Sequence, residues 1–335
     1  MSKLLTLLLA SLVAGFAAAA GANEPLKVGL LKFATNGPTF IALEKGYFAA
    51  GGLDVSLVYF DAAQPIVVAT VSRDIDLGIT GIAGGFYNLA GEGALTIIAA
   101  QSREEPGYPN NGYLVSNHAW DAGLKTYKDL PGHSVAVTTV GSPTHYALGL
   151  LADKEGFSLD AIRLMPMQTN SNQISAIRGN QVDAAVIPGT LAIPLLTRGE
   201  AHLLGWACDE TSWQLGAMFA TKHTVAERRP VLETYLKAYR RAAHEYYDAF
   251  LVRGPDGKVK EGPGAGALLA ILSKYVGQPP DEIRKGTAFV DPDGRLLVRD
   301  IYHQVAWYQA RGMVDKAVDA KTMLDLSFVD GHYDR

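Results

Sequence analysis

The chain of 335 residues is predicted to be an α/β protein built from two similar lobes with a ligand cleft between them. Three observations predict this. Strand-like runs alternate with helix-like runs, which implies βαβ units and parallel sheets. The stretch 36–81 is echoed at 141–189. The chain is also long enough to bury two separate cores. In the echo, Asn36-Gly37-Pro38-Thr39-Phe40 corresponds to Gly141-Ser142-Pro143-Thr144-His145-Tyr146. Each copy then carries a lone glutamine, Gln64 or Gln168, placed 26 and 25 residues after its proline. Each closes on a similar phrase, ending in Thr80-Gly81 or Pro188-Gly189. Loops at the carboxyl ends of parallel strands are where open α/β sheets bind ligands, and two facing lobes make a cleft.

The elements follow in order. Residues 26–33 give the first strand, and 39–50 a helix stopped by Gly51-Gly52, which breaks helices entropically. Residues 53–60 alternate as a strand, 65–72 read as a helix, and 75–80 as the third strand. A short helix at 85–90 and a strand at 95–100 complete the run. Residues 103–111, with two prolines, a glycine and paired asparagines, can continue neither element and predict a crossover. The second lobe alternates strands at 134–139, 162–167, 183–187 and 202–207 with helices at 144–155, 172–179 and 191–199. A return crossover is predicted at 209–216. The lobes are therefore 23–107 with 210–335, and 108–209. The carboxyl third is mostly helical, with Leu232, Tyr235, Leu236, Tyr239, Ala242, Ala243, Tyr246 and Phe250 forming one apolar face that predicts core packing. A polar turn region at 254–264 and a tight turn at 291–294 interrupt it.

Pro38 and Pro143 suit the first position of a helix, and Ser142 is a natural N-cap. Helix starts present unpaired N–H groups and a positive dipole end, so two of them facing one cleft suit an anionic group. Gln64 and Gln168 can donate and accept, and the small residues Thr80, Gly81 and Pro188 let a ligand approach the backbone. Phe40, Phe86, Tyr87, Tyr108, Tyr146, Trp206 and Trp213 cluster at predicted cleft edges. Tyr146 and Trp213 are the best placed to cover an apolar ligand body. The loops carry few cations, chiefly Arg103 and His145, which points to a compact, singly charged, partly apolar ligand.

The first residues read as an export signal: Lys3 as a basic start, an apolar run over 4–16, and Ala20-Gly21-Ala22 as a small-residue cleavage pattern. The apolar run is shorter than the roughly 20 residues of a bilayer span, so cleavage near Ala22 and a free periplasmic protein are expected. The formal charge of −4 is too mild to favour nucleic acid as a partner. Cys208 is the single cysteine; it is expected to be a small buried hydrophobe at a strand end and excludes internal disulfides and cysteine-held metal. There is no His-Glu-x-x-His, no phosphate loop and no Gly-x-Ser-x-Gly elbow. Ser142 and His145 lack an acid partner, so no catalytic residue, cofactor or metal is expected.

Several phrases, among them Asn36-Gly-Pro38, Glu44-Lys-Gly-Tyr-Phe48, Gly52-Leu-Asp-Val55, Asp76 to Gly81, Lys128-Asp-Leu-Pro-Gly132, Val140-Gly-Ser142 and Gly179-Asn-Gln-Val-Asp-Ala184, closely resemble the nitrate/sulfonate/taurine-type substrate-binding proteins of bacterial ABC importers. The resemblance implies a periplasmic binding protein fold of type II, with two crossovers. It implies a monomer that closes on a small organic anion, a sulfonate or an organic or aromatic carboxylate, and delivers it to a membrane permease. Carried over by position, the binding loops are 36–40, 64–65, 80–82, 141–146, 168–172, Pro188 and 206–213. They add Asn36, Gly37, Phe40, Thr144 and Asn170 to the candidates Gln64, Thr80, Gly81, Ser142, His145, Tyr146, Gln168, Pro188 and Trp213. The same scaffold also serves thiamine-pyrimidine synthases and menaquinone-pathway enzymes. The former carry a cysteine-rich segment that this chain lacks, and neither group is exported. A sensor that presents its closed form to a receptor kinase fits the sequence as well.

Overall fold

A computed structural model describes residues 22–334; the predicted export signal therefore lies outside the described residues, apart from Ala22. The first lobe opens with β1 (Glu24–Leu30), α1 (Gly37–Glu44), α2 (Tyr47–Ala50), β2 (Leu53–Tyr59), α3 (Ala63–Val71), β3 (Leu77–Gly81), α4 (Gly84–Gly91) and β4 (Leu95–Glu104). The helix predicted over 39–50 is two helices. Gly46 between them takes φ +71°, a left-handed conformation that glycine adopts without a Cβ penalty. The second lobe holds β5 (Asn111–Val115), α5 (Asn117–Asp121), β6 (Ser134–Val137), α6 (Pro143–Glu155), β7 (Arg163–Pro166), α7 (Asn170–Arg178), β8 (Ala184–Pro188), α8 (Gly189–Thr197), β9 (His202–Trp206) and α9 (Ala207–Glu210). The chain returns through β10 (Trp213–Thr221), α10 (Lys222–Glu227), α11 (Arg229–Phe250), α12 (Ala265–Val276), α13 (Pro280–Lys285) and α14 (Val298–Ala310).

Two five-stranded sheets result, ordered β2-β1-β3-β10-β4 and β7-β6-β8-β5-β9. Pairing is parallel except at β10 and β5, each antiparallel to both its neighbours. These are the strands that enter a sheet from the opposite lobe, so the two halves share one topology. The expected α/β architecture with two crossovers is what forms. The crossovers differ from expectation: Asn111, placed in the first of them, begins β5, and residues 213–216, placed in the return crossover, begin β10; neither strand was predicted.

The stripe on α11 is core, as its spacing predicted: all eight residues from Leu232 to Phe250 are buried, each aromatic contributing about 2 kcal/mol by burial. Gly37 lies against this helix layer, where a Cβ would stand 2.9 Å from Tyr246 and Leu272. Cys208 is buried and free, in α9 directly after β9.

Helix α14 belongs to both halves. Toward the first sheet, Gln304 donates to the Gln214 carbonyl at 2.6 Å and accepts from the Tyr87 hydroxyl at 2.8 Å. Toward the second lobe, the Tyr308 hydroxyl donates to the Ser142 carbonyl at 3.2 Å, and the Tyr146 hydroxyl lies 2.8 Å from His303 Nδ1. Trp307 packs over Gly149, where any Cβ would collide with the indole.

Candidate functional site

The loops at the carboxyl ends of the strands face one another pairwise. After β1, the Ala34 N–H donates to Thr190 Oγ1 of α8 at 3.0 Å. After β2, the Asp61 carbonyl accepts from Asn170 Nδ2 of α7 at 2.8 Å. After β3, the Gly84 N–H donates to the Gly141 carbonyl at 3.0 Å, and Gly81 abuts Pro143. Between these contacts remains a cleft of about 700 Å³ lined from both lobes: Ala62, Gln64, Pro65, Val68, Ala83 and Gly85 on one side, residues 138–143 with Gln168 and Thr169 on the other. A groove of about 570 Å³ beside Lys45, Glu245 and Glu261 is lined by the first lobe alone, and Lys45 is already paired with Glu245.

The N-cap residues of four helices line this one cleft: Ala62 of α3, Ala83 of α4, Ser142 of α6 and Thr169 of α7. Ser142 caps α6 by accepting from the His145 N–H at 3.2 Å, and Thr169 caps α7 by accepting from the Asn172 N–H at 3.1 Å. The alanines at the starts of α3 and α4 have no side chain to offer, so first-turn N–H groups there have no side-chain cap. Four positive dipole ends thus converge where no lysine, arginine or histidine lines the wall. Asp74 is the one charged lining residue.

The two cations anticipated from sequence are not charges of this cleft. Arg103 is buried, with Nε 2.8 Å from Glu105 and its guanidinium 4.2 Å above the Phe289 ring. His145 accepts from the Gly141 N–H through Nδ1 at 2.9 Å. Burial, with Arg311 nearby, lowers its pKa to about 4, so it is a neutral support for the loop. The sign of the consequence is fixed. The unfolded chain takes up this proton near pH 6.5 and the folded one only near 4, so stability falls as pH drops through that window, by about 3 kcal/mol in total. An NMR titration of the His145 ring, assigned with H145Q, should give a midpoint near 4; one near 6.5 contradicts this geometry.

Of the other candidates, Gln64 and Gln168 reach the cleft with Ser142. The Gln64 amide lies over Gly85, where a Cβ would meet Oε1 at 2.5 Å. Gln168 holds φ +70°, unusual for a non-glycine residue, while its N–H donates to the Thr138 carbonyl at 2.7 Å. Thr80 is buried with its hydroxyl unpartnered. The Thr144 hydroxyl bonds Ser142 Oγ at 3.0 Å, and Asn170 bridges to Asp61. Pro188 ends β8 and precedes α8. Thr80, Thr144, Asn170 and Pro188 lie outside the lining, as do the remaining candidates. Asn36 donates to the Leu31 carbonyl and accepts from Gln101. Phe40 stacks on Tyr275 at 4.9 Å. Tyr146 and Trp213 are fully buried against each other at 5.2 Å. Sequence reasoning missed Ala62, Ala83, Gly85, Thr138 and Thr139. The ends of β2, β3 and β6 signalled their position, but alanine and glycine carry no chemical signature.

Against known proteins, a profile of the family described as NMT1/THI5 like matches residues 35–249. A search of curated proteins returns no match. The alkanesulfonate-binding protein SsuA from Xanthomonas axonopodis pv. citri, bound to MOPS, superposes with a TM-score of 0.73 at 19% identity, over 90% of this chain and 98% of that one. The periplasmic aliphatic sulphonate binding protein SsuA from Escherichia coli gives 0.68 at 19%, over 90% and 97%. The periplasmic nitrate-binding protein NrtA from Synechocystis PCC 6803 gives 0.69 at 14%, over 89% and 84%. These likenesses show a shared two-lobed fold, and the match across most of the chain establishes that it belongs to the NMT1/THI5-like family.

Proposed function

We propose that this protein is the solute-binding component of an ABC-type importer, a periplasmic monomer that captures a small, singly charged organic anion between its lobes and delivers it to a permease. The convergence of four helix starts on a cleft without a cation carries this reading. Such a wall stabilises one negative charge by dipoles and N–H groups, and lacks the guanidinium or ammonium groups that a multiply charged ion demands. Gln64, Gln168 and the hydroxyls of Thr138, Thr139 and Ser142 can bind and orient a solute. The export signal read from the sequence, and the transport names of the structural neighbours, support the location and the partner. No helix among the described residues is long and apolar enough to cross a membrane.

Thermal-shift screening of sulfonates, organic and aromatic carboxylates, nitrate and pyrimidines should show saturable stabilisation by at least one acid class. Mass spectrometry should then recover that acid unchanged. Silence from every acid rejects the assignment, and conversion of the solute makes the protein an enzyme. A sharper test is Ala62→Asp. The carboxylate caps α3 itself, so the free protein should gain about 1 kcal/mol while acid binding weakens at least tenfold. Equal affinity in the variant would show that the helix starts do not hold the ligand.

A further inference from the structure

We propose that the paired crossovers form a proton-controlled hinge, in which a protonated Glu104 favours the closed lobes and an ionised Glu104 favours their opening. The two crossovers, 105–110 and 207–212, run side by side. Glu104 at the end of β4 pairs with Trp213 at the start of β10, and Gly112 of β5 pairs with Trp206 at the end of β9. Between them the Gly107 N–H donates to Asp209 Oδ1 at 3.0 Å, and Ser212 Oγ donates to the Glu104 carbonyl at 3.0 Å. The Glu104 side chain reaches across the lobe boundary. It belongs to the first sheet, yet it accepts from Asn111 Nδ2 of the second at 2.6 Å. Its other oxygen, Oε2, is out of water and has no partner among the described residues.

An unbonded oxygen of a buried carboxylate is costly, whereas a neutral carboxyl is buried at far smaller cost. Turning one lobe on the other draws Asn111 and α9 past this side chain and lets water reach it. Opening therefore relieves the ionised form and gains the neutral form little. On the same strand, Arg103 and Glu105 pair with each other at 2.8 Å. From the second lobe, Tyr113 of β5 and Cys208 and Asp209 of α9 act on Glu104. From the segment after α11, Arg253 donates to the Pro106 carbonyl. Burial keeps the Tyr113 hydroxyl and the Cys208 thiol protonated, so Asp209 is the charge that opposes a carboxylate here. With the lobes in contact, burial and Asp209 hold Glu104 at about 8. The closed-to-open ratio should therefore fall as pH rises from the hydrated carboxyl's value toward 8, by up to about tenfold per pH unit, and level off above it.

Hydrogen exchange tests this without a ligand. The Ala34 and Gly84 amides donate across the lobe boundary, so opening frees both. Where reclosing outruns exchange, each should exchange at least tenfold faster than the buried amides of β1, because opening needs no unfolding. Dividing each rate by that of the same amide in Glu104→Gln at equal pH cancels the intrinsic chemistry. It also cancels Asp300 and His145, whose burial places them at about 6 and about 4 in both proteins. This quotient should rise at least tenfold between pH 5 and 8 and then level off. Asp209→Asn, made in both backgrounds, should bring the levelling down by about 0.5 pH unit. A quotient that stays flat with pH, cross-lobe amides that exchange no faster than β1, or a levelling that ignores Asp209→Asn overturns the proposal.

Discussion

Replacing Glu104 with glutamine should stabilise the protein, by a margin that grows as the pH rises. Glu104 ends β4 and is fully buried where the chain leaves the first sheet. Its Oε1 accepts from Asn111 Nδ2, at the start of β5, at 2.6 Å, while Oε2 has no partner. Burial, aggravated by Asp209 and opposed by the Asn111 hydrogen bond, pushes this carboxyl up from 4.5 to about 8. A carboxyl raised in the folded state contributes fully below its unfolded pKa, and that contribution is lost as pH rises through the folded value. The wild-type protein should therefore lose about 4 kcal/mol relative to E104Q between pH 4.5 and 8. Glutamine keeps the carbonyl that Asn111 needs and never ionises. Urea denaturation of both proteins at pH 5, 7 and 8.5 measures the difference; a gap that stays constant with pH would show that the carboxyl titrates normally.

Gly81→Val should hold the lobes apart. At this position an added Cβ would stand 2.7 Å from Pro143 Cγ, across the cleft. Within a closed form such an overlap costs about 1–3 kcal/mol, and it is relieved simply by opening. The variant should therefore keep its melting temperature but show a larger radius of gyration by X-ray scattering. It should also bind any cleft ligand about five- to a hundredfold more weakly, because binding must then supply the cost of closure. An unchanged radius together with unchanged affinity would mean that Gly81 and Pro143 do not meet in solution.

The sequence was legible wherever periodicity decided the outcome. The first four strands, the parallel lobes and the buried face of α11 follow from alternation at two and at 3.6 residues. β5 was hidden because it starts at Asn111, the last of the prolines, glycine and paired asparagines of 103–111 that read as a crossover; its extended form is imposed by the strands on either side. β10 was not predicted, its first residues being placed in the return crossover. Within the cleft, Gln64, Ser142 and Gln168 could be placed because they sit at fixed offsets from a strand end. Phe40, Tyr146 and Trp213 could not, since which side of a helix or strand meets the core depends on partners far along the chain. The charge of His145 was equally invisible: a single backbone N–H from Gly141 and the loss of water decide it.

The exchange of strands between the sheets has a consequence for how the protein assembles. Every strand of the second sheet lies within 111–206, a continuous stretch, whereas β3 and β4 touch only through β10. A nascent chain that has emerged as far as Glu210 thus holds the complete set of pairings for one half and a gap in the other. The second half can acquire its native order first. The first must wait for a distant segment to thread between two strands already made, a pairing of long sequence separation that is intrinsically slow.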